Sequence, residues 1–289
     1  MGSFDPERNW LTMQHHLATN RANWDDRAAA HAVRTGLGYG VQRYVHDPAL
    51  LSDVVRFDRE RLGDIAGLAT VHLQCHIGTD TLSLARLGAR VTGLDFSPVA
   101  LAEARALVAE TGDAVEFVES DVYSALSVLP PAGFDLVYTG IGALCWLPSI
   151  DRWAAVVAGL LAPGGRLFIR EGHPILWAMD ERLADDLHLR FPYFEQQEPL
   201  EWDDDSSYVV TDRPITNTKT YEWNHGIGEI VTALLEAGLT LTMLVEHDSV
   251  PWEALPGQMV ERSGGEFALD ERAGVAPLSY TIQAVKPLA

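Results

Sequence analysis

The chain has 289 residues, 47% of them hydrophobic and 21% charged, which is typical of a folded globular protein and not of a disordered one. Acidic residues outnumber basic ones by 41 to 21, and the net charge of −20 disfavours nucleic acid or an anionic membrane surface as a partner. No apolar run is long enough to span a membrane, and the two cysteines lack the spacing of a zinc site. We therefore expect a cytoplasmic protein without a bound metal.

The first 62 residues predict helices, because apolar side chains recur there at helical spacing, as at Val54, Phe57 and Leu62. Strands and helices then alternate, with strands expected at residues 69–75, 90–94, 115–118, 134–138 and 166–169. Strands alternating with helices of this length predict a doubly wound α/β fold, with a parallel sheet and helices on both faces.

The segment after the fifth strand breaks this alternation. It contains four prolines, many aromatic residues and an acidic run, and it is too long for a plain connection. We interpret residues 172–225 as a cap inserted over the active site. A helix from Gly226 and strands at 239–245 and 279–285 resume the core, and residues 251–277 are expected to be rich in loops. The predicted domains are a helical lid (1–62), a core (63–171 and 226–289) and the cap.

Ligands of open doubly wound sheets bind beyond the carboxyl ends of the strands. Gly78 follows the first strand, where a glycine lets the backbone approach a ligand, although a simple strand-to-helix turn explains it equally well. Asp95 ends the second strand, where a carboxylate accepts hydrogen bonds from a ribose diol; the alternative is a cap for the following helix. Asp121 follows the third strand, with a turn or capping role as its alternative.

These residues belong to a series of motifs that resembles the class I S-adenosylmethionine-dependent methyltransferases. The matching pieces, in chain order, are the turn around Gly78, residues 91–98, Ser120-Asp121, residues 134–137 and residues 160–168. The resemblance implies a seven-stranded, mostly parallel sheet whose last strand is antiparallel. It also implies S-adenosyl-L-methionine as the methyl donor.

The sequence departs from this family in the first motif. Family members have an acidic residue in the first strand and several glycines after it, whereas this chain has His72, Gln74 and His76 there and retains only Gly78. Two interpretations are open. Either Gln74 and His76 hold the methionine part of the cofactor in a way specific to a subfamily, or the site has decayed. The closely spaced glycines of a nicotinamide site are absent in either case.

The resemblance assigns the turn around Gly78 to the methionine part of the cofactor, Asp95 to the ribose, Phe96 and Val122 to the adenine faces and Asp121 to its amino group. With the neighbouring positions, the predicted cofactor-binding residues are Trp24, Gln74, His76, Gly78, Asp95, Phe96, Ser97, Asp121, Val122 and Thr139. Trp24 has a second interpretation as a core aromatic.

Three residues are candidates for a catalytic base, namely His173, His225 and Tyr221, because histidine titrates near neutral pH. Each histidine has the alternative role of a packed polar residue. A further set of aromatic residues is a candidate lining for an apolar or aromatic acceptor pocket: Trp146, Trp177, Trp202, Tyr221 and Trp223.

The predicted function is transfer of a methyl group to an oxygen or nitrogen atom of a small molecule. A non-catalytic protein that binds S-adenosylmethionine, and an enzyme transferring another group on the same fold, are the alternatives. The long cap favours an enzyme, because a lid that excludes water serves a reaction more than a scaffold.

Overall fold

A computed structural model describes residues 6–34 and 37–288, with the side chains of residues 6–11 left out. Three helices come first: α1 (Pro6–His31), α2 (Gln42–His46) and α3 (Asp53–Leu62). Strands and helices then alternate in the predicted order: β1 (Ala69–Leu73), α4 (Thr79–Arg86), β2 (Arg90–Asp95), α5 (Pro98–Thr111), β3 (Val115–Glu119), α6 (Ala125–Val128), β4 (Phe134–Thr139), α7 (Ile150–Leu160) and β5 (Leu161–Gly172). The N-terminal helices predicted from periodicity are therefore present.

The remainder of the chain forms part of the cap and completes the core. Its elements are α8 (Pro174–Trp177), β6 (Leu200–Asp203), β7 (Lys219–Glu222), α9 (Ile227–Glu236), β8 (Thr240–His247), β9 (Met259–Arg262), β10 (Glu266–Leu269) and β11 (Ser279–Val285). Two antiparallel hairpins, β6–β7 and β9–β10, lie outside the main sheet. Residues 251–277, expected to be rich in loops, thus contain a hairpin that the sequence did not reveal.

The main sheet has seven strands in the order β3-β2-β1-β4-β5-β11-β8. β11, the last strand of the chain, runs antiparallel to both β5 and β8, while the other neighbouring pairs are parallel. This confirms the predicted fold class. The strand order reverses between β1 and β4, which is where doubly wound sheets bind their ligands.

The fifth strand is longer than the sequence predicted. α7 ends at Leu160 and β5 begins at the next residue, five residues before the start expected at residue 166. The pairing with β4 shifts between Phe134 and Leu136, whose partners are Leu161 and Arg166. A bulge of this kind lets extra residues interrupt a ladder without ending it.

The core lies on both faces of the sheet. On one face, α7 and α9 pack against the strands around the fully buried Trp153, in a cluster that includes Leu73, Ile169 and Ile282. The opposite face is covered by α3 and α4. Beyond the carboxyl ends of the strands, α1 packs along α5 and β7, which places the N-terminal helix between the core and the cap.

Candidate active site

The turn after β1 has the backbone shape that glycines normally adopt, although two of its residues are not glycine. Gln74 and His76 have φ values of 55° and 50°, and Gly78 has 79°. Positive φ costs a non-glycine residue on the order of 1 kcal/mol or more. Gln74 is held by a 2.8 Å hydrogen bond from its amide nitrogen to the Ala143 carbonyl. The altered first motif therefore retains the backbone geometry of a glycine turn, with side chains added to it.

Gly78 has a packing reason for being glycine. A Cβ at this position would lie 2.9 Å from Cβ of Ala104 and 3.1 Å from the ring of Phe117. The start of α4 thus lies directly against α5 and β3. This close approach fixes the turn relative to the strand that carries Asp95.

Asp95 lies at the end of β2, 6% exposed, and links the two predicted parts of the site. Its Oδ2 accepts a hydrogen bond from the amide of His76, and its Oδ1 accepts one from the amide of Ser97, both 2.8 Å long. Each carboxylate oxygen has a second lone pair, so both remain able to accept from a diol. Burial raises the pKa of Asp95 to about 6, with the backbone hydrogen bonds acting in the opposite direction.

The residues after β2 and β3 have structural roles that the sequence left open. Ser97 caps α5 by accepting from the amide of Ala100, and its hydroxyl donates to Asp25 of α1. Asp121 caps the short 3-10 turn at residues 122–124 and accepts from the amide of Ser124. Its capping alternative is therefore realised, and one oxygen remains for a ligand. The two predicted adenine contacts lie beside these residues. Phe96, which follows Asp95, is partly exposed, and Val122, which follows Asp121, is buried in the core.

Among the buried polar atoms without a hydrogen-bond partner in the described chain are two at the ends of β1 and β4: Oε1 of Gln74 and Oγ1 of Thr139. They are close in the sheet, because Gln74 follows Leu73 and Leu73 pairs with Thr139. A buried unpaired polar atom costs about 1–3 kcal/mol, so it is normally paired with something. An acceptor and a hydroxyl at this place fit the ammonium and carboxylate groups of a methionine moiety.

Glu171 fixes the loop after β4, a role that the sequence did not reveal. Its carboxylate is buried at the end of β5 and accepts hydrogen bonds of 2.6–2.8 Å from the amides of Gly142, Ala143, Leu144 and Gly172. Burial raises its pKa, and these four donors act against that shift. Because Gln74 bonds to the same loop, Glu171 helps to hold this end of the cleft in place.

His173 and His225, the predicted bases, have both ring nitrogens engaged. Nδ1 of His173 accepts from the amide of Ile175, so its Nε2 donates to Glu246 at 3.0 Å. Nε2 of His225 donates to the carbonyls of Leu144 and Leu147, and its Nδ1 bonds to Glu195 at 2.8 Å. Neither nitrogen is left to take a proton from a substrate. In the structure, both histidines therefore have the alternative role, that of packed polar residues.

Tyr221 also makes contacts other than those expected of a base. Its ring packs against His16 of α1, with centroids 4.1 Å apart. Its backbone amide and carbonyl bond to the side chain of Asn20, at 2.8 and 2.7 Å. Tyr221 thus joins the cap to the N-terminal helix. The other aromatic candidates lie apart: Trp146 meets Trp24, Trp202 packs on Phe191 within the cap, Trp177 stacks on Trp252 outside the cap, and Trp223 packs on His16 of α1.

Trp24 lies beside the turn after β1. Its ring contacts those of His76 and Trp146 edge-on, with centroids 4.9 and 5.2 Å apart. His31 lies about two turns further along the same face of α1, and its ring bonds to that of His76 at 2.9 Å. No spacing rule connects residues 31 and 76, so the sequence offered no signal for this contact.

Two absences are observed in the described ranges, 6–34 and 37–288. No group of three or more His, Cys, Asp or Glu side chains there has the arrangement needed to hold a metal ion. None of the helices in these ranges is both long and apolar enough to cross a membrane.

Comparison with known proteins agrees with this geometry. The family model of a methyltransferase domain matches residues 71–167. A ubiquinone biosynthesis O-methyltransferase from Xanthomonas euvesicatoria is 33% identical over 144 residues, which are 50% of this chain and 58% of that relative. The chain thus spans little more than half the length of this curated relative.

Solved structures share the fold over a longer stretch. A Listeria monocytogenes protein described as an S-adenosylmethionine-dependent methyltransferase superposes with a TM-score of 0.59 at 18% identity, covering 81% of this chain and 98% of that one. A methyltransferase of the same cofactor dependence from Mesorhizobium loti gives 0.55 at 22% identity, with the same coverage. The predicted family and fold are confirmed, and the family supports S-adenosylmethionine as the cofactor. Residues 71–167 thus match a methyltransferase domain, and the seven-stranded sheet that contains them has the fold of S-adenosylmethionine-dependent methyltransferases.

Proposed function

We propose that the chain transfers a methyl group from S-adenosylmethionine to an oxygen or nitrogen atom of a small molecule. The observation that carries the proposal is the pair of unpartnered buried atoms, Oε1 of Gln74 and Oγ1 of Thr139, at the same sheet edge as Asp95. Asp95 suits the diol at one end of an elongated ligand, and Gln74 and Thr139 suit the amino-acid group at the other end. The ubiquinone biosynthesis relatives favour oxygen as the acceptor atom.

The chain's own residues divide the binding work along the cleft. Asp95 accepts from the ribose hydroxyls, while Gln74 and Thr139 bind the methionine end. Phe96 and Val122 border the adenine, and Asp121 keeps one oxygen for its amino group. The bound cofactor supplies an electrophilic methyl group on a positively charged sulfur. Holding an acceptor in line with that methyl lowers the barrier chiefly through positioning.

We propose that the described part of residues 1–62 and residues 172–225 act together as a lid over the cleft. α1 and the cap are joined at several points. Asn23 donates to the carbonyl of Asn217, and Asp26 accepts from the amides of Thr216 and Asn217. A joined cover excludes water from a reacting group, which is a feature of enzymes with lids. This arrangement favours catalysis over cofactor binding alone.

Calorimetry with S-adenosylmethionine and S-adenosylhomocysteine tests the first half of the proposal, and both ligands should bind. No heat with either ligand at concentrations up to the millimolar range would contradict it. Acceptors are then screened with a methyl-labelled donor against phenols, catechols, hydroxy acids and amines. Binding of both ligands without transfer to any acceptor class would favour the non-catalytic alternative.

A further inference from the structure

A histidine pair connects three separate parts of the chain above the cleft. Nδ1 of His31, the last residue of α1, lies 2.9 Å from Nε2 of His76 in the turn after β1. The other nitrogen of His31 lies 2.9 Å from the hydroxyl of Ser207 in the cap. A continuous hydrogen-bonded chain therefore runs from the cofactor turn, through the N-terminal helix, to the cap.

Aromatic rings hold both imidazoles in place. His31 is fully buried and stacks on Tyr39, with centroids 4.9 Å apart and the planes 25° from parallel. Tyr208 of the cap packs edge-on against the same imidazole, with centroids 5.0 Å apart, and its hydroxyl bonds to that of Tyr39. The rings leave His31 little freedom, so it can fix the orientation of His76.

The remaining nitrogen of the pair is Nδ1 of His76. It has no hydrogen bond to any residue in the described part of the chain, and the His76 side chain is only partly buried. When Nε2 of His76 donates to His31, Nδ1 carries a lone pair. Burial lowers the pKa of His76 to about 3, and Arg27 acts in the same direction, so the imidazole is neutral at neutral pH.

We propose that His76 is the proton acceptor of the methyl transfer and that His31 is its positioning residue, with Ser207 of the cap completing the chain. The inference rests on the proposed function. The acceptor oxygen bonds to the methyl carbon as the carbon–sulfur bond breaks, and that bonding pair stays on sulfur. The acceptor proton passes to Nδ1 of His76 as the oxygen–carbon bond forms, because bonding to the methyl group makes that proton far more acidic than it is in the free acceptor. The positive charge present on sulfur before the step is on the imidazole afterwards, so the buried cleft gains no charge.

This arrangement gives the unusual first motif a purpose. The turn keeps the backbone shape of a glycine, with φ of 50°, and uses the added side chain as a base. It also couples catalysis to closure, because Ser207 reaches His31 only where the cap lies over α1. The positions that sequence reasoning selected for a base, His173 and His225, are engaged elsewhere, whereas the histidine assigned to cofactor binding has the free nitrogen.

His76→Gly is the decisive variant. Glycine adopts φ of 50° without strain, so the variant should fold and bind S-adenosylhomocysteine within a few-fold of wild type. Methyl transfer to catechol, used as the probe acceptor, should fall by at least about 100-fold. Imidazole added to the solution should restore part of the rate, because it can occupy the space of the lost ring. His188→Asn, an exposed histidine of the cap, is the matched control and should change nothing.

His31→Asn tests the positioning role. It should lower kcat for the probe and change the pH dependence of kcat, while the KM for S-adenosylmethionine stays the same. The charged and titratable groups around the pair are Arg27, Tyr39 and Tyr208, and none of these is altered by the variant. In the wild-type protein with S-adenosylhomocysteine bound, nitrogen-15 NMR should show an unprotonated Nδ1 on His76.

Two sets of results separate this inference from the proposed function. A protein that binds neither cofactor form overturns both. A protein that binds and transfers, but whose His76→Gly variant keeps the wild-type rate or gains nothing from imidazole, overturns only the role of His76. A proton resident on Nδ1 of His76 in the NMR experiment has the same consequence.

Discussion

Replacing Asp95 by alanine removes the carboxylate that we assign to the ribose. Each of its oxygens accepts one backbone amide and keeps one lone pair for a hydroxyl. A hydrogen bond to a charged group contributes about 1.5–3 kcal/mol, so even one lost ribose contact should raise the Kd for S-adenosylmethionine roughly 10- to 150-fold. The Kd for S-adenosylhomocysteine should rise by a similar factor, because both ligands carry the same ribose.

Isothermal titration calorimetry measures this change directly, and urea unfolding shows how much of it comes from lost stability. The variant leaves the amides of His76 and Ser97 without their partner, which costs about 1–3 kcal/mol of folding free energy. Asp135→Ala is the matched control, since Asp135 also accepts a backbone amide, from Ala69, but at the opposite end of the sheet. An unchanged Kd in folded Asp95→Ala would refute the assignment.

Further predictions concern pH, the methionine end, the turn and a buried ion pair. Because burial raises the pKa of Asp95 to about 6 and the ribose contact requires the carboxylate, affinity measured by calorimetry should be constant above pH 7. Below pH 6 it should fall by up to about tenfold per pH unit, and this dependence should vanish in Asp95→Asn. Thr139→Val should weaken S-adenosylmethionine in calorimetry but leave adenosine unaffected, since the unpartnered hydroxyl lies at the methionine end; equal losses for both would contradict this placement. Gly78→Ala should lower the unfolding free energy in urea by roughly 1–3 kcal/mol, because its Cβ would lie 2.9 Å from Ala104; full stability would show that the helices can separate. Arg170→Met should cost about 3–5 kcal/mol in the same assay, because it leaves Glu266 buried without the two hydrogen bonds of 2.9 and 2.7 Å that pair them, and Arg170→Met/Glu266→Leu should recover much of the loss.

Much of the fold followed from local patterns. The strand and helix periodicities predicted the order of the core elements, and Ser97-Pro98 marked the start of α5, where the hydroxyl and the proline have the expected capping positions. Asp95 at the end of an apolar strand was placed correctly, because the carboxyl ends of parallel strands meet at one edge. These features depend on neighbours in the chain, or on rules that hold for any sheet of this class.

The sequence failed where a residue's role depends on a distant partner. The length of β5 depends on a bulge opposite β4, and the hairpin β9–β10 lies within a segment whose composition indicates loops. Glu171 supports a loop through four amide donors, and three of these amides are 27–29 residues away.

The sequence by itself determined the doubly wound core, the carboxylate at the end of β2 and the departure from glycine in the first motif. Only the tertiary structure decided what the histidines do. His225 meets carbonyls 78 and 81 residues away, and His31 meets His76 across 45 residues. A histidine has a structural role when both ring nitrogens are hydrogen-bonded within the protein, and it can act as a base when one nitrogen is free. Packing between distant segments decides which of the two applies.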